Sequence, residues 1–275
     1  MPLSRPIRHA NREAHVDTEP LKDSPVPPKV KQGHIRGLRE TVSPATETCF
    51  FERDPEVALE RRAAVEGFGT LLLVLAVAGS GLTASSLAQE ASLLARASSA
   101  VATAGALVGL ILAFGSVSGG HFNPLISALQ WLSGERRLDC TLAYIVAQLA
   151  GGVAGALLAN IIFGTHRVPI VSAPAAWRLA SSELLATAGL LIVVFGCARS
   201  GRRETGPFAV GAWLTAATIA TPSASYANPA VSLAALIAAG PLGLPPRSVA
   251  LYVLAQLLGA LVALLVITTA YPRRR

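Results

Sequence analysis

Six transmembrane helices and two re-entrant half-helices, arranged as an inverted repeat in an all-α membrane protein, are what this chain predicts. Three observations lead there. Apolar residues make up 52% of the 275 positions and charged ones only 14%. A stretch built on Asn-Pro occurs twice inside uncharged sequence, at Ser118-Gly119-Gly120-His121-Phe122-Asn123-Pro124-Leu125 and at Ser225-Tyr226-Ala227-Asn228-Pro229-Ala230. Each half also opens on a glutamate followed four residues later by threonine, Glu66 with Thr70 and Glu183 with Thr187.

Residues 1–60 differ from the rest. They hold nine Lys/Arg and ten Asp/Glu and a proline-rich run at Pro25-Val26-Pro27-Pro28, with little apolar periodicity. Such a stretch cannot bury enough surface to offset the entropy of ordering, so a disordered cytosolic tail is expected. His9, His15 and His34 are too scattered for a metal site. Residues 61–275 form the predicted membrane domain, with repeat one over about 61–165 and repeat two over about 178–272.

A crossing needs about 20 mostly apolar residues. Six stretches qualify: Ala63–Leu82, Ser98–Val117, Thr141–Phe163, Leu179–Ala198, Pro207–Thr221 and Ser248–Tyr271, of which the fifth is short. No charge lies between Arg96 and Glu135, nor between Glu204 and Arg247. Each of these regions is too long for one crossing and suits a crossing plus a half-helix. Proline is tolerated in the first helical turn and Asn is a favoured cap before it. Asn123 and Asn228 therefore read as caps of half-helices starting at Pro124 and Pro229, with Gly134 and Gly240 as their stops. Broken backbone at membrane depth is tolerated only where it is buried or lines a watery cavity.

The arginines set an orientation. Arg61, Arg62, Arg136, Arg137, Arg199, Arg202, Arg203 and Arg273 to Arg275 fall on one side, against Arg96, Arg167, Arg178 and Arg247 on the other. The positive-inside rule then puts both termini in the cytoplasm of a multi-pass protein of the inner (plasma) membrane. Scattered in this way, the arginines do not form a nucleic-acid-binding patch. Three cysteines without close spacing give no disulfide framework or metal motif, and no nucleophile with a base marks an enzyme. No cofactor is expected.

Three crossings per half invert one half against the other, so the two Asn-Pro half-helices enter from opposite faces and meet near the midplane. Their N-termini concentrate positive potential there, which disfavours cations. Asn123 and Asn228 offer amide donors, and backbone at Gly119, Gly120 and His121 and at Ala224, Tyr226 and Ala227 offers a ladder of carbonyl acceptors. Glu66 and Glu183 are costly inside a membrane. They either buttress the broken segments by accepting their N–H groups or lie close enough to the interface to be hydrated.

From about Ala63 to Tyr271 the chain resembles the major intrinsic proteins, the aquaporin and glycerol-facilitator family, through the two Asn-Pro motifs and the paired glutamates. The resemblance implies an aquaporin-like fold, a pore in every protomer, a homotetramer in a lipid bilayer and small neutral solutes as permeants. It also implies half-helix packing through Pro124, Leu125, Pro229 and Ala230, and two departures stand out. Leu125 replaces the family's usual Ala. Val231 stands where an arginine normally lines the outer constriction.

The family's spacing puts Thr103 where water-selective members carry an aromatic residue. Ser225 joins the constriction, with a fifth-helix residue drawn from Thr215, Ala216 and Thr218. Such a wide, uncharged opening resembles that of unusual bacterial members, some associated with arsenical handling. It implies passive conduction of polyols or undissociated metalloid acids. A water-selective or gas-permeable channel and a coupled secondary transporter are the alternatives.

Overall fold

The computed structural model describes residues 57–87, 92–166 and 176–271. The N-terminal tail with Cys49 and its histidines, Arg167 and Arg273 to Arg275 lie outside the described residues. Those described build eight α-helices: α1 (Leu59–Leu87), α2 (Ser92–Ser118), α3 (Pro124–Leu132), α4 (Leu138–Ile162), α5 (Ala176–Arg199), α6 (Gly206–Ala220), α7 (Pro229–Ala234) and α8 (Pro246–Ala270). No strand occurs among the described residues. Five helices are long and apolar enough to span a membrane. Helix α6, at 15 residues, is about 22 Å long at 1.5 Å per residue, short against a hydrocarbon core of about 30 Å.

Small residues mark the helix faces that pack closely. On α4 the buried positions include Gly151, Gly152, Gly155, Ala156 and Ala159, beside the polar-network residues Tyr144 and Gln148, whereas Val146, Leu157 and Ile161 are exposed. Helix α8 repeats this, with Gly259, Ala260 and Ala263 buried and Leu254, Leu257, Leu261 and Leu265 exposed. Lipid tails are as apolar as leucine, so helices associate through close packing of small residues instead of through hydrophobic burial. A Cβ on Gly151 would strike the Gly67 carbonyl of α1, and one on Gly259 the Leu184 carbonyl of α5. Thus α1 lies along α4 and α5 lies along α8, an equivalent pair from each half.

The half-helices are held inside this frame. Leu125, Ile126 and Leu129 of α3 join a core with Leu73, Leu191 and Phe195, and Val231 and Ala234 of α7 join another with Val74, Ala156 and Val249. Helix α3 stops as expected. Gly134 adopts φ +69°, and Gly134 N and Glu135 N donate to the carbonyls of Trp131 at 2.8 Å and Gln130 at 2.9 Å. Helix α7 does not reach its expected stop at Gly240 and ends six residues earlier. Asn160 of α4 takes over there, its Nδ2 donating to the Ile237 carbonyl at 2.9 Å and its Oδ1 accepting from Ala239 N at 3.0 Å. These bonds engage backbone groups that a longer helix would need for itself. Gly240, at φ +65°, instead opens a single 3-10 turn, Gly240–Leu242.

Candidate functional site

The two Asn-Pro loops meet head to head. In each, the asparagine takes an extended conformation and its Oδ1 caps the following helix, accepting from Leu125 N at 3.0 Å and from Ala230 N at 2.9 Å. The same side chains cross to the opposite loop. Asn123 Nδ2 donates to the Ala227 carbonyl at 2.9 Å, and Asn228 Nδ2 to the Phe122 carbonyl at 2.8 Å. Each amide thus fixes its own helix start and ties it to the other.

The loops reach this geometry through left-handed backbone. Gly119, Gly120 and Phe122 have positive φ in the first loop, and Ala224, Ser225 and Ala227 in the second. This winding leaves successive N–H groups without the regular partners of a helix, and buried carboxylates take them. Glu66 Oε1 accepts from Ser118 Oγ at 2.6 Å and His121 N at 2.9 Å, while Oε2 accepts from Phe122 N at 2.7 Å and Gln148 Nε2 at 2.8 Å. In the second half, Glu183 accepts from Tyr226 N at 3.0 Å, Ala227 N at 2.9 Å and Gln256 Nε2 at 2.7 Å. Ser223 adds a hydroxyl donor to Glu183. Both glutamates are fully buried, which removes the hydrated-interface reading. A carboxylate with this many donors is tolerated without a cationic partner.

Several members of this network were missed from sequence. Gln148 also donates to Ser127 Oγ at 3.1 Å and Gln256 to Ser232 Oγ at 2.8 Å. His121 stacks edge-on against Tyr144, and Tyr226 against Tyr252. Their signal lies in the chain as Tyr144-Ile145-Val146-Ala147-Gln148-Leu149-Ala150-Gly151 and Tyr252-Val253-Leu254-Ala255-Gln256-Leu257-Leu258-Gly259, a second repeat beside the Asn-Pro one. Asn160 has no such echo.

An elongated cavity runs through the protein past both asparagines. Its middle is walled by apolar side chains including Leu73, Leu107, Ile111, Leu190 and Val194, and by Gly119, Gly120, His121, Ala224 and Tyr226 from the loops. Thr103, Thr218, Ser225 and Val231 line it, with Ser99, Gly81 and Pro241 toward one end and Arg202 and Arg203 at the other. Ser225 Oγ is buried without a protein partner among the described residues.

Three expectations need correction. Ala216 does not line the cavity; it is exposed on the outer face of α6. Two residues on, a helix turns by about 200°, which carries Thr218 to the lumen side. Thr215 is also outside the lining, its Oγ1 donating back to the Gly211 carbonyl at 2.9 Å. Ala227 is fully buried with its carbonyl engaged by Asn123, so it does not belong to the lumen's acceptor ladder. Pro124, Leu125, Pro229 and Ala230 sit behind the lumen wall and are buried. Leu125 is absorbed into the core without unbalancing the pair, since the two Asn caps and cross-bonds keep matching geometry.

Two broken helices meeting at a lined passage, inside a shell of lipid-facing helices, define a transmembrane channel. Residues 55–223 match the family model described as Major intrinsic protein, a match that stops just before the second Asn-Pro. Aquaglyceroporin AqpS of Rhizobium meliloti (strain 1021) is 40% identical over 214 residues, covering 76% of this chain and 89% of that protein. An Aquaglyceroporin of Toxoplasma gondii is 31% identical over 212 residues, covering 74% of this chain and 75% of that one. Probable aquaporin TIP1-2 of Oryza sativa subsp. japonica is 30% identical over 192 residues, covering 66% and 76%. The chain belongs to the major intrinsic protein family. It is a passive membrane channel for small uncharged solutes and not an enzyme.

Proposed function

We propose that the channel conducts neutral solutes larger than water: glycerol-like polyols, and undissociated metalloid acids such as arsenite or methylated arsenicals. The observation that carries this is the side-chain set Thr103, Thr218, Ser225 and Val231 along the cavity, which contains neither a charge nor an aromatic ring. An arginine at position 231 would bring five N–H donors and a fixed charge on a planar group. Valine leaves a wider and less polar passage. Three hydroxyls remain to replace a solute's hydration, and that of Ser225 is not engaged by protein. The apolar wall between them suits the carbon face of a polyol. The name of the 40%-identical relative, an aquaglyceroporin, fits this reading.

The selectivity constriction is accordingly assigned to these four residues, with Asn123 and Asn228 as the central donors. We further propose a homotetramer in the plasma membrane with both termini cytoplasmic, which puts Arg202 and Arg203 at the cytoplasmic mouth.

Val231→Arg tests the reading in proteoliposomes by light scattering. Glycerol and arsenite flux are expected to fall at least about tenfold and water flux much less, since a buried guanidinium both narrows and charges the passage. Equal losses for water and solute would remove Val231 from the constriction. Fast water flow with no uptake of glycerol or arsenite in the natural protein would make it a water channel instead.

A further inference from the structure

His121 and Tyr226 hold the same place in the two loops, 105 residues apart, and each donates its backbone N–H to the buried glutamate of its own half. Each ring lies edge-on to a tyrosine, Tyr144 of α4 or Tyr252 of α8. Their polar ends part company. His121 Nδ1 lies 2.8 Å from Ser127 Oγ and stays with its own half-helix. The longer phenol of Tyr226 reaches the segment beyond α7, where its hydroxyl donates to the Leu242 carbonyl at 2.8 Å.

That carbonyl belongs to the 3-10 turn Gly240–Leu242, and both Pro241 and Leu242 line the cavity. Pro241 stands beside Gly81 of α1, where a Cβ would come within 3.7 Å of it. The other lining residues at this end sit on α1, α2 and α6 or on the glutamate-held loop and the half-helix it starts. The turn has no such frame. Its hydrogen-bond geometry is poorer than that of an α-helix, and one bond from Gly243 N to the Gly240 carbonyl, at 3.1 Å, closes it. Side chains therefore tie it down. Tyr226 holds Leu242, and Asn160 of α4 holds the approach through Ile237 and Ala239. With valine at 231, no long side chain reaches across the passage, so its free width follows from where the backbone walls stand.

We infer that the Gly240–Leu242 turn is the size gauge of this bore, and that Tyr226 and Asn160 are the positioning residues that hold it. The inference rests on the neutral-solute reading above and sharpens it: the polyols admitted are those short enough to pass a wall fixed by these two side chains. Releasing the turn blurs the limit.

A hydrogen bond of ordinary net strength favours a held turn over a released one by about two- to thirteenfold. The full chain is reconstituted in proteoliposomes, and uptake of three-carbon glycerol and four-carbon erythritol is followed by light scattering on the same preparations. Y226F keeps the ring and loses the bond to Leu242, so the erythritol-to-glycerol ratio is expected to rise at least about threefold. N160L frees the turn from α4 and is expected to raise the ratio as well; it decides the test if Y226F is not recovered folded. T215V loses a hydroxyl-to-carbonyl bond of similar length outside the lining and is expected to leave the ratio unchanged.

An unchanged ratio in folded Y226F overturns the inference, because a side chain that only stabilised the fold would lower the melting temperature and leave the ratio alone. A rise of equal size in T215V also overturns it, making size discrimination a matter of general tightness. Absence of glycerol uptake by the natural protein would instead remove the neutral-solute reading, and the two failures are thus separable.

Discussion

The two half-helix regions solve one problem with different residues. Ser118, Asn123 and Ser127 have counterparts 105 residues later, at Ser223, Asn228 and Ser232, and both sets tie into a buried glutamate and a glutamine. What differs is how each loop turns and how its helix ends. The first uses Gly119-Gly120 for its left-handed turn and a glycine stop after α3; the second uses Ala224-Ser225 and borrows Asn160 to finish α7. The polar network is therefore the invariant part of the architecture. The second region, which carries Ser225 and Val231, uses its freedom to furnish the lumen, and accepts backbone strain to do so.

If the network is the invariant part, breaking it at either end should be equally damaging. Glu66→Leu leaves four buried donors without an acceptor, those of Ser118, His121, Phe122 and Gln148. Glu183→Leu orphans the equivalent set from Ser223, Tyr226, Ala227 and Gln256. At about 1–3 kcal/mol per unsatisfied group, either loss approaches the whole stability of a typical domain, about 5–15 kcal/mol. Neither variant is expected to yield folded protein by size-exclusion chromatography of detergent extracts. A well-folded Glu183→Leu beside an unfolded Glu66→Leu would break the equivalence of the halves.

The next effect concerns helix contacts. Gly151→Ala drives a methyl into the Gly67 carbonyl, and Gly259→Ala drives one into the Leu184 carbonyl, the closer approach being at Gly151. Overpacking of this kind costs about 1–3 kcal/mol. Both variants should unfold earlier in a thermal melt, Gly151→Ala by the larger margin. A reversed order would mean that α5 and α8 pack with less give than α1 and α4.

The contrast between the halves also marks what could be read from the chain. The crossings and half-helix starts were legible because missing charge, Asn-Pro caps and apolar length are local signals. Glu66 and Glu183 were legible as buttresses because an intramembrane carboxylate demands partners. Those partners on α4 and α8 needed the second repeat to be noticed, since a lone Gln in an apolar helix has no local signature. The end of α7 was not legible. It depends on Asn160, 74 residues before Ala234, and no local rule links them. The choice between Ala216 and Thr218 depends on the rotation of α6 against α2, where Gly211 meets Val108. Spacing along the chain does not encode that rotation.

The smallest expected effect probes the strain itself. Ala224 has φ +61° in the position that the first loop gives to Gly119, and a left-handed non-glycine residue costs about 1–2 kcal/mol. Ala224→Gly removes that strain but adds freedom to the unfolded chain, worth about 0.5–1 kcal/mol in the other direction. A net gain below about 1 kcal/mol is expected as a small rise in melting temperature. A change in the first loop, Gly120→Ala at the counterpart of Ser225, should be clearly destabilising. Its φ is +64°, and a Cβ there would press on the α2 backbone, 3.3 Å from Ile111 Cα and 3.4 Å from Gly115 Cα. If Ala224→Gly lowered the melting temperature while Gly120→Ala left it unchanged, the strain would sit in the glycine loop, and the second region's latitude to vary its lumen residues would need another source.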